Sequence, residues 1–217
     1  MMPKLVDHDA RRAQIAAAAA QAIDEQGLDR VRLVDVARIA SCTTGAVGHY
    51  FPDKDAVLIA ALEHVLGSLA GYAPEWDPGP VDSGDPVAAL LSELAEILPL
   101  DEPRRRDWRV WIAFCGRAVS TPPLAALHRD SYAEIQENLA AILCRTGLAA
   151  PGKDAEEVAA AAFTAFDGLG LRATLEPDEW PPERQRSVLA LQLGPLLRTP
   201  RPAVNFDFTP DALEKSA

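Results

Sequence analysis

Cysteine is scarce in this chain: three in 217 residues, Cys42, Cys115 and Cys144, far apart, odd in number and without a C-x-x-C spacing. That pattern supplies no disulfide framework and argues for a reduced, cytosolic chain. No apolar run reaches the roughly 18 residues needed to span a bilayer, so no membrane partner is expected. The first residues, MMPKLVDHDARRAQ, lack an apolar stretch followed by a small-residue cleavage site, so no secretory signal is expected either. The 18 prolines and 13 glycines follow no repeat period, which excludes collagen-like and low-complexity readings. Histidine is rare: His8, His49, His64 and His128 show no H-E-x-x-H, and none has a Glu three residues before it. The paired Glu-x-x-His of di-iron helical bundles is therefore missing. A Gly-rich phosphate loop and a G-x-S-x-G elbow are also absent. No catalytic residue, metal site or cofactor is expected.

What is present is ordinary globular material. Hydrophobic residues make up 48% and charged residues 24%, too apolar for a disordered chain and enough for one large domain or two small ones. Net charge is −11 and the pI about 4.8, which taken alone argues against a nucleic-acid partner. The charge is unevenly spread, however. Residues 1–51 carry equal numbers of basic and acidic side chains, and residues 52–217 hold the whole excess of acid. The N-terminal part can therefore approach phosphate.

Helical periodicity runs through the chain. Ile15, Ala19, Ala22 and Ile23 mark a first helix ended by Gly27; Leu33, Val36, Ala37 and Ala40 mark a short second one. Residues 44–50 form a third, and Val57, Leu58, Ala61, Leu62, Val65 and Leu66 a longer fourth behind Pro52-Asp53. The Pro- and Gly-rich stretch 72–86 is a loop. Beyond it, stripes at Leu90–Leu98 and Trp108–Val119, a long helix 124–144 ended by Gly147, and helices at 155–175 and 183–197 complete the pattern. Pro122-Pro123 reads as a break, Arg104–Arg106 as a solvated helix start, and Thr209-Pro210 as a cap for one more turn. The expectation is an all-α protein of about nine helices. It divides into an N-terminal helix-turn-helix, three-helix domain (1–52), a C-terminal helical ligand-binding and dimerisation domain (53–198) and a Pro-containing tail (199–217).

The segment LVDVARIASCTTGAVGHYFPDK, residues 33–54, has a distinctive layout. Two turns of helix meet the break Ser41-Cys42-Thr43, and a second short helix follows, with Thr43 placed to cap it. A helix-turn-helix puts that second helix into the DNA major groove, N-terminus first. Thr43 and Thr44 offer hydroxyls beside a helix N-terminus that itself attracts phosphate. Gly45 permits close backbone approach, His49 and Tyr50 can bond phosphates or base edges, Lys54 supplies a point charge, and Arg32 adds a further phosphate contact. A bare pattern of this kind is also compatible with two helices that merely pack together. The second reading is thus an all-helical small-molecule-binding or enzymatic bundle whose helix-turn-helix is only structural.

Residues 8–66 resemble the DNA-binding domain of the TetR family of transcriptional repressors, through Ala40, Thr43, Gly45, Tyr50, Phe51 and Lys54. Three positions depart from that family's pattern. Ser41 stands where the turn glycine belongs, Arg32 where a Ser/Thr cap belongs, and Gly48 where the reading helix often carries an aromatic or polar side chain. The strings WRVWIAFCGRAVSTPPLAALHRDSY and AFDGLGLRATLEP, within 105–197, resemble the effector domain of the subgroup typified by the choline-sensing repressor BetI. The resemblance implies a cytoplasmic homodimer acting as a repressor on a double-stranded, roughly palindromic DNA operator and released by a small organic effector. It also implies a ligand pocket within the effector helices. Trp108, Trp111, Phe114, Tyr132, Phe163 and Phe166 are its candidate walls, each equally open to a plain core role. Asp167 interrupts an apolar run and reads as a salt bridge, an interface edge or a ligand contact. Aromatic faces with one acid suit a cationic or amphipathic effector; an apolar one remains an alternative. Residues 155–175 and 183–197 carry apolar side chains on more than one face, as expected of helices that bury one side in their own subunit and the other against a two-fold mate.

Overall fold

The computed structural model describes residues 8–72 and 84–198. Those residues form nine α-helices and no strand: α1 (His8–Gln26), α2 (Leu33–Ile39), α3 (Thr44–Tyr50), α4 (Lys54–Tyr72), α5 (Pro86–Glu96), α6 (Glu102–Ala118), α7 (Pro122–Arg145), α8 (Lys153–Leu175) and α9 (Pro182–Arg198). The all-α expectation and the helix count hold. Residues 73–83 of the Pro-rich loop, the tail 199–217 and its Thr209-Pro210 cap lie outside the described residues.

The first three helices make a small head. α1 buries Ile15, Ala16, Ala19, Ala22 and Ile23 against α2 and α4, the close approach being set by alanines that add little bulk. Gly27 ends it at φ +81°, its N–H donating to the Ile23 carbonyl; only glycine takes that left-handed position without cost. Ser41 must do the same without being glycine. It stands at φ +50° while the Cys42 N–H donates to the Ala37 carbonyl at 2.9 Å, closing α2. The turn has the left-handed geometry a glycine would supply, and the serine carries the strain. Arg32 gives α2 no side-chain cap, whereas Thr43 Oγ1 accepts from the Ala46 N–H at 3.1 Å and starts α3. Val47 and Phe51 then anchor α3 in the core.

The remaining helices form the body. Asp85 and Asp101 cap α5 and α6 by accepting backbone N–H bonds, and Asp85 also pairs with Arg198, tying the start of α5 to the end of α9. Buried Gln185 on α9 donates to the Pro99 and Trp180 carbonyls.

Three expectations require correction. Arg104–Arg106 starts α6 but is solvated only in part: Arg104 is half-buried on Glu96 and Asp101 and Arg105 on Glu102, while Arg106 stays exposed beside Asp24. Val119 does not continue the α6 stripe; it caps the helix and is 90% exposed. Pro122-Pro123 does not merely break a helix. These prolines form the first turn of α7, where a missing N–H costs nothing.

Head and body meet along α4 and α6. Asp24 of α1 accepts from Arg109 of α6 at 2.5 Å and faces Arg106 at 3.6 Å, and Arg109 continues to Glu102 at 2.7 Å. Arg117 reaches Asp29 beyond the end of α1. Two residues before Arg109, Asp107 is buried and accepts from Ser68 Oγ of α4 at 2.6 Å. Burial pushes the Asp107 carboxyl above its usual range, opposed by the Ser68 hydroxyl and by the nearby His64 and Arg106, and assisted by Asp24. A carboxyl raised in this way binds its proton more tightly when folded. Its contribution to stability is therefore lost as pH rises from the ordinary carboxylate value through the raised one. Asp107→Asn keeps an acceptor for Ser68 and removes that loss. From acid to neutral pH its urea-denaturation stability gains on that of the wild type; a constant difference between the two would contradict the assignment.

Candidate functional site

Two regions collect the residues singled out above. The first is the outer face of the head. Thr43, Thr44, Gly45 and His49 are exposed along α3, Tyr50 and Lys54 are half-buried beside them, and Arg32 is 74% exposed while paired with Asp35 at 3.2 Å. A Cβ at Gly45 would meet only Thr43 Oγ1, at 3.8 Å, and one at Gly48 would meet nothing within 4 Å. Neither glycine is demanded by internal packing, so the space before them is open to whatever docks there. Arg12 of α1 was not legible as part of this face. It donates to the Tyr50 carbonyl at 3.2 Å and lies over the Phe51 ring at 4.5 Å, steadying the C-terminal end of α3. His8 joins it, with ring contacts to His49 and Tyr50.

The second region is a cavity of about 570 Å3 in the body, the size that holds a drug-like ligand. Its walls come from α4 to α8. Trp108 and Trp111 of α6, Tyr132 of α7, and Phe163, Phe166 and Asp167 of α8 line it, as anticipated. Phe114 does not: it stands one turn beyond Trp111 and stacks behind that ring at 5.8 Å, supporting the wall from outside. Three features of the lining were missed. α4 contributes Leu66, Leu69 and Ala70, α5 contributes Leu90 and Leu94 with Ile97 just beyond its end, and Glu93, Asn138 and Arg145 add polar groups. Aliphatic residues of this kind look alike in sequence whether they fill a core or face a cavity.

The aromatic residues form a connected array. Tyr132 lies parallel to Trp111 at 5.6 Å and to His128 at 4.4 Å, and meets Phe163 edge-on at 6.2 Å. Its hydroxyl donates to Asp167 Oδ2 at 2.6 Å. Asp167 is thus neither ion-paired to a basic side chain in this pattern nor free. Burial raises its carboxyl above the usual range, with the Tyr132 bond pulling the other way. Burial and the neighbouring Asp167 raise the Tyr132 hydroxyl, and burial lowers His128. The cavity therefore presents a mostly apolar wall with two acidic side chains, Glu93 and Asp167, the second bonded to a tyrosine among aromatic faces. Among the described residues no group of three or more His, Cys, Asp or Glu is placed to hold a metal ion, and the three cysteines are free thiols.

A third surface lies on α8 and α9. Ala161, Thr164, Gly168, Leu171 and Leu175 recur at helical spacing along the exposed side of α8, and on α9 Leu191 is 73% exposed. By length and composition α8 would also pass for a bilayer-crossing helix. In this fold it packs Val158, Ala162, Phe166 and Leu169 into the bundle.

Comparisons with known proteins agree with this arrangement. Residues 15–61 match the model of the bacterial regulatory proteins of the tetR family, and residues 86–198 match that of the BetI-type transcriptional repressor C-terminal domain. The HTH-type transcriptional regulator BetI of Burkholderia mallei is 34% identical over 174 residues, 80% of this chain and 87% of its own. A transcriptional regulator from Rhodococcus sp. Rha1 superposes with a TM-score of 0.75 at 34% identity, over 86% of this chain and 96% of its own. A regulator from Saccharomonospora viridis, solved in complex with choline, shares the fold with a TM-score of 0.67 at 24% identity, over 86% and 96% of the two chains. Head, body and the order of their helices thus have one common source: the chain belongs to the TetR family of transcriptional regulators, in its BetI-like subgroup.

Proposed function

We propose that this protein is a non-enzymatic, ligand-responsive repressor that binds a roughly palindromic DNA operator as a homodimer and releases it when a small organic molecule fills the body cavity. TetR-family regulators generally work in this way. The observation that carries the reading is the double placement of α4 and α6. Each packs on α1 of the head and lines the cavity with other side chains: α4 lies along α1 and turns Leu66 and Leu69 to the cavity, and α6 holds Asp24 of α1 through Arg109 and turns Trp108 and Trp111 to it. In the chain's division of labour, residues 1–52 read DNA, 53–198 bind ligand and dimerise, and 199–217 form a tail. The cytoplasm is the compartment such a repressor requires.

On the head, α3 enters the major groove. Thr43, Thr44, Gly45 and His49 face the DNA directly, while Tyr50, Lys54 and Arg32 hold the flanking backbone. The operator is found by selecting bound genomic fragments with the purified protein. On the selected fragment, Lys54→Ala weakens binding and lowers the salt slope by about one unit, as one lost phosphate contact requires. An unchanged slope would remove Lys54 from the interface. Because Gly45 has room for a larger side chain within its own subunit, a bulky substitution there abolishes protection of the fragment while leaving the body folded.

The exposed stripe of α8 with Leu191 of α9 is the surface that a two-fold mate covers, giving an interface of four helices. Sedimentation at micromolar concentration gives about twice the chain mass of 23.3 kDa. A monomer at that concentration would contradict the reading.

For the effector, a cationic or amphipathic molecule is the first reading. It rests on Asp167 among Trp111, Tyr132 and Phe163, since each aromatic face attracts a cation by about 0.5–2 kcal/mol and more when dry, and on the choline found in the Saccharomonospora viridis relative. An apolar effector is the second, favoured by the aliphatic lining and by the bond that already occupies Asp167. A thermal-shift panel of amines, fatty acids and aromatic compounds on wild type and Asp167→Asn separates them. Cationic compounds raise the melting temperature of the wild type more than that of the variant. If only apolar compounds raise it, the cationic reading falls.

A further inference from the structure

The wall of the cavity contains one contact that no larger residue could make. Trp108 lies with the six-membered ring of its indole directly against the backbone of Gly170 on α8. A Cβ at position 170 would fall 2.0 Å from Trp108 Cη2, 2.3 Å from Cζ3 and 2.4 Å from Cζ2. Real carbon atoms do not approach so closely, so any side chain at 170 must displace the ring. Gly170 is helical, with an ordinary backbone, and its neighbour Gly168 has open space where its own Cβ would be. The need for glycine at 170 therefore comes from the indole and not from the turn of the chain.

The indole is held on its other sides as well. Its Nε1–H donates to the Ile97 carbonyl at 2.8 Å, a carbonyl left without a helical partner at the end of α5, and its ring meets Phe166 at 5.6 Å. Trp108, Phe166 and Ile97 all line the cavity. An indole displaced from the Gly170 notch is blocked by α8 on the side it leaves, and the cavity is the open space beside it.

We propose that Gly170 is a specificity-determining residue of the cavity: by receiving the Trp108 ring in a notch on α8, it keeps that ring out of the binding space and sets the size of molecule the protein accepts. The proposal rests on the reading of this cavity as the effector site. An alanine at 170 pushes the indole inward, breaks its bond to Ile97 and removes volume equal to at least a methyl group from the pocket. In an apolar site one methylene more or less changes binding about 10- to 200-fold.

The test is a double-mutant cycle on the full-length protein, read by the binding of Nile red, a bulky neutral fluorophore. Gly170→Ala binds the dye at least about tenfold more weakly than wild type. Trp108→Phe, whose shorter ring leaves the notch empty, makes the alanine harmless, so the double variant binds within about twofold of Trp108→Phe alone, the additivity failure expected of residues in contact. If Gly170→Ala fails to fold, the double variant decides: folded and dye-binding, it supports the notch; unfolded, it overturns it. Equal binding by wild type and Gly170→Ala overturns the role of Gly170, as does a double variant no better than the single. A wild type that takes up no dye overturns the cavity reading itself and the selectivity that depends on it.

Discussion

The joint between Asp24 of α1 and Arg109 of α6 is the constraint around which the rest of the molecule is arranged. The two short helices of the head, α2 and α3, have little apolar surface with which to fix its orientation on the body. Its longest helix, α1, instead lies across α4 and α6, and the ion pair at 2.5 Å, extended to Glu102 and Arg106, gives that crossing a register. In partly buried pairs of this kind desolvation offsets much of the attraction, so the net stability is small. Their value here is geometric: they specify where along α6 the head sits. Any displacement of α6 is then a displacement of the head.

That arrangement explains why the cavity lies where it does. α6 turns Trp108 and Trp111 towards the cavity from positions adjoining Asp107 and Arg109, which hold α4 and α1. α4 adds Leu66, Leu69 and Ala70 to the same cavity while Ser68 holds Asp107. An occupant that prefers a different spacing of these two helices alters the head through bonded neighbours rather than through distant packing. To invert a 99:1 balance between binding and non-binding states it must favour the second by about 5.5 kcal/mol. A cavity with many aliphatic contacts and the acidic Glu93 and Asp167 can supply differential binding of that kind.

The helices were legible in the sequence because helix patterns depend on local periodicity and on caps such as Gly27, Thr43 and Gly147, all of which act as read. The turn at Ser41 was legible only in part: the departure from the family's glycine stood out, but whether the serine would itself take the left-handed position did not. Long-range polar contacts were not legible. Arg104–Arg106 looked like a solvated run because Glu96 and Asp24 are brought to it only by the fold, and the local partners Asp101 and Glu102 do not by themselves shield it. Arg12 was missed for the same reason, as its target is the end of α3, thirty-eight residues away. Among the aromatics, Trp108, Trp111, Tyr132, Phe163 and Phe166 reach the cavity and Phe114 does not, a difference of one helical turn that periodicity does not resolve. Gly170 carried no signal at all, because its meaning lies in a ring sixty-two residues earlier in the chain.

The central claim is that the position of α6 is felt at the DNA-reading helix through the Asp24–Arg109 joint. The most direct measurement is the affinity of Arg109→Met for the selected operator fragment, at the same salt as wild type and with the dimer verified. The account predicts binding weaker by roughly fivefold, the lower end of the coupling that a shared two-state network carries, with the melting temperature of the body little changed. Operator affinity equal to that of the wild type would contradict it.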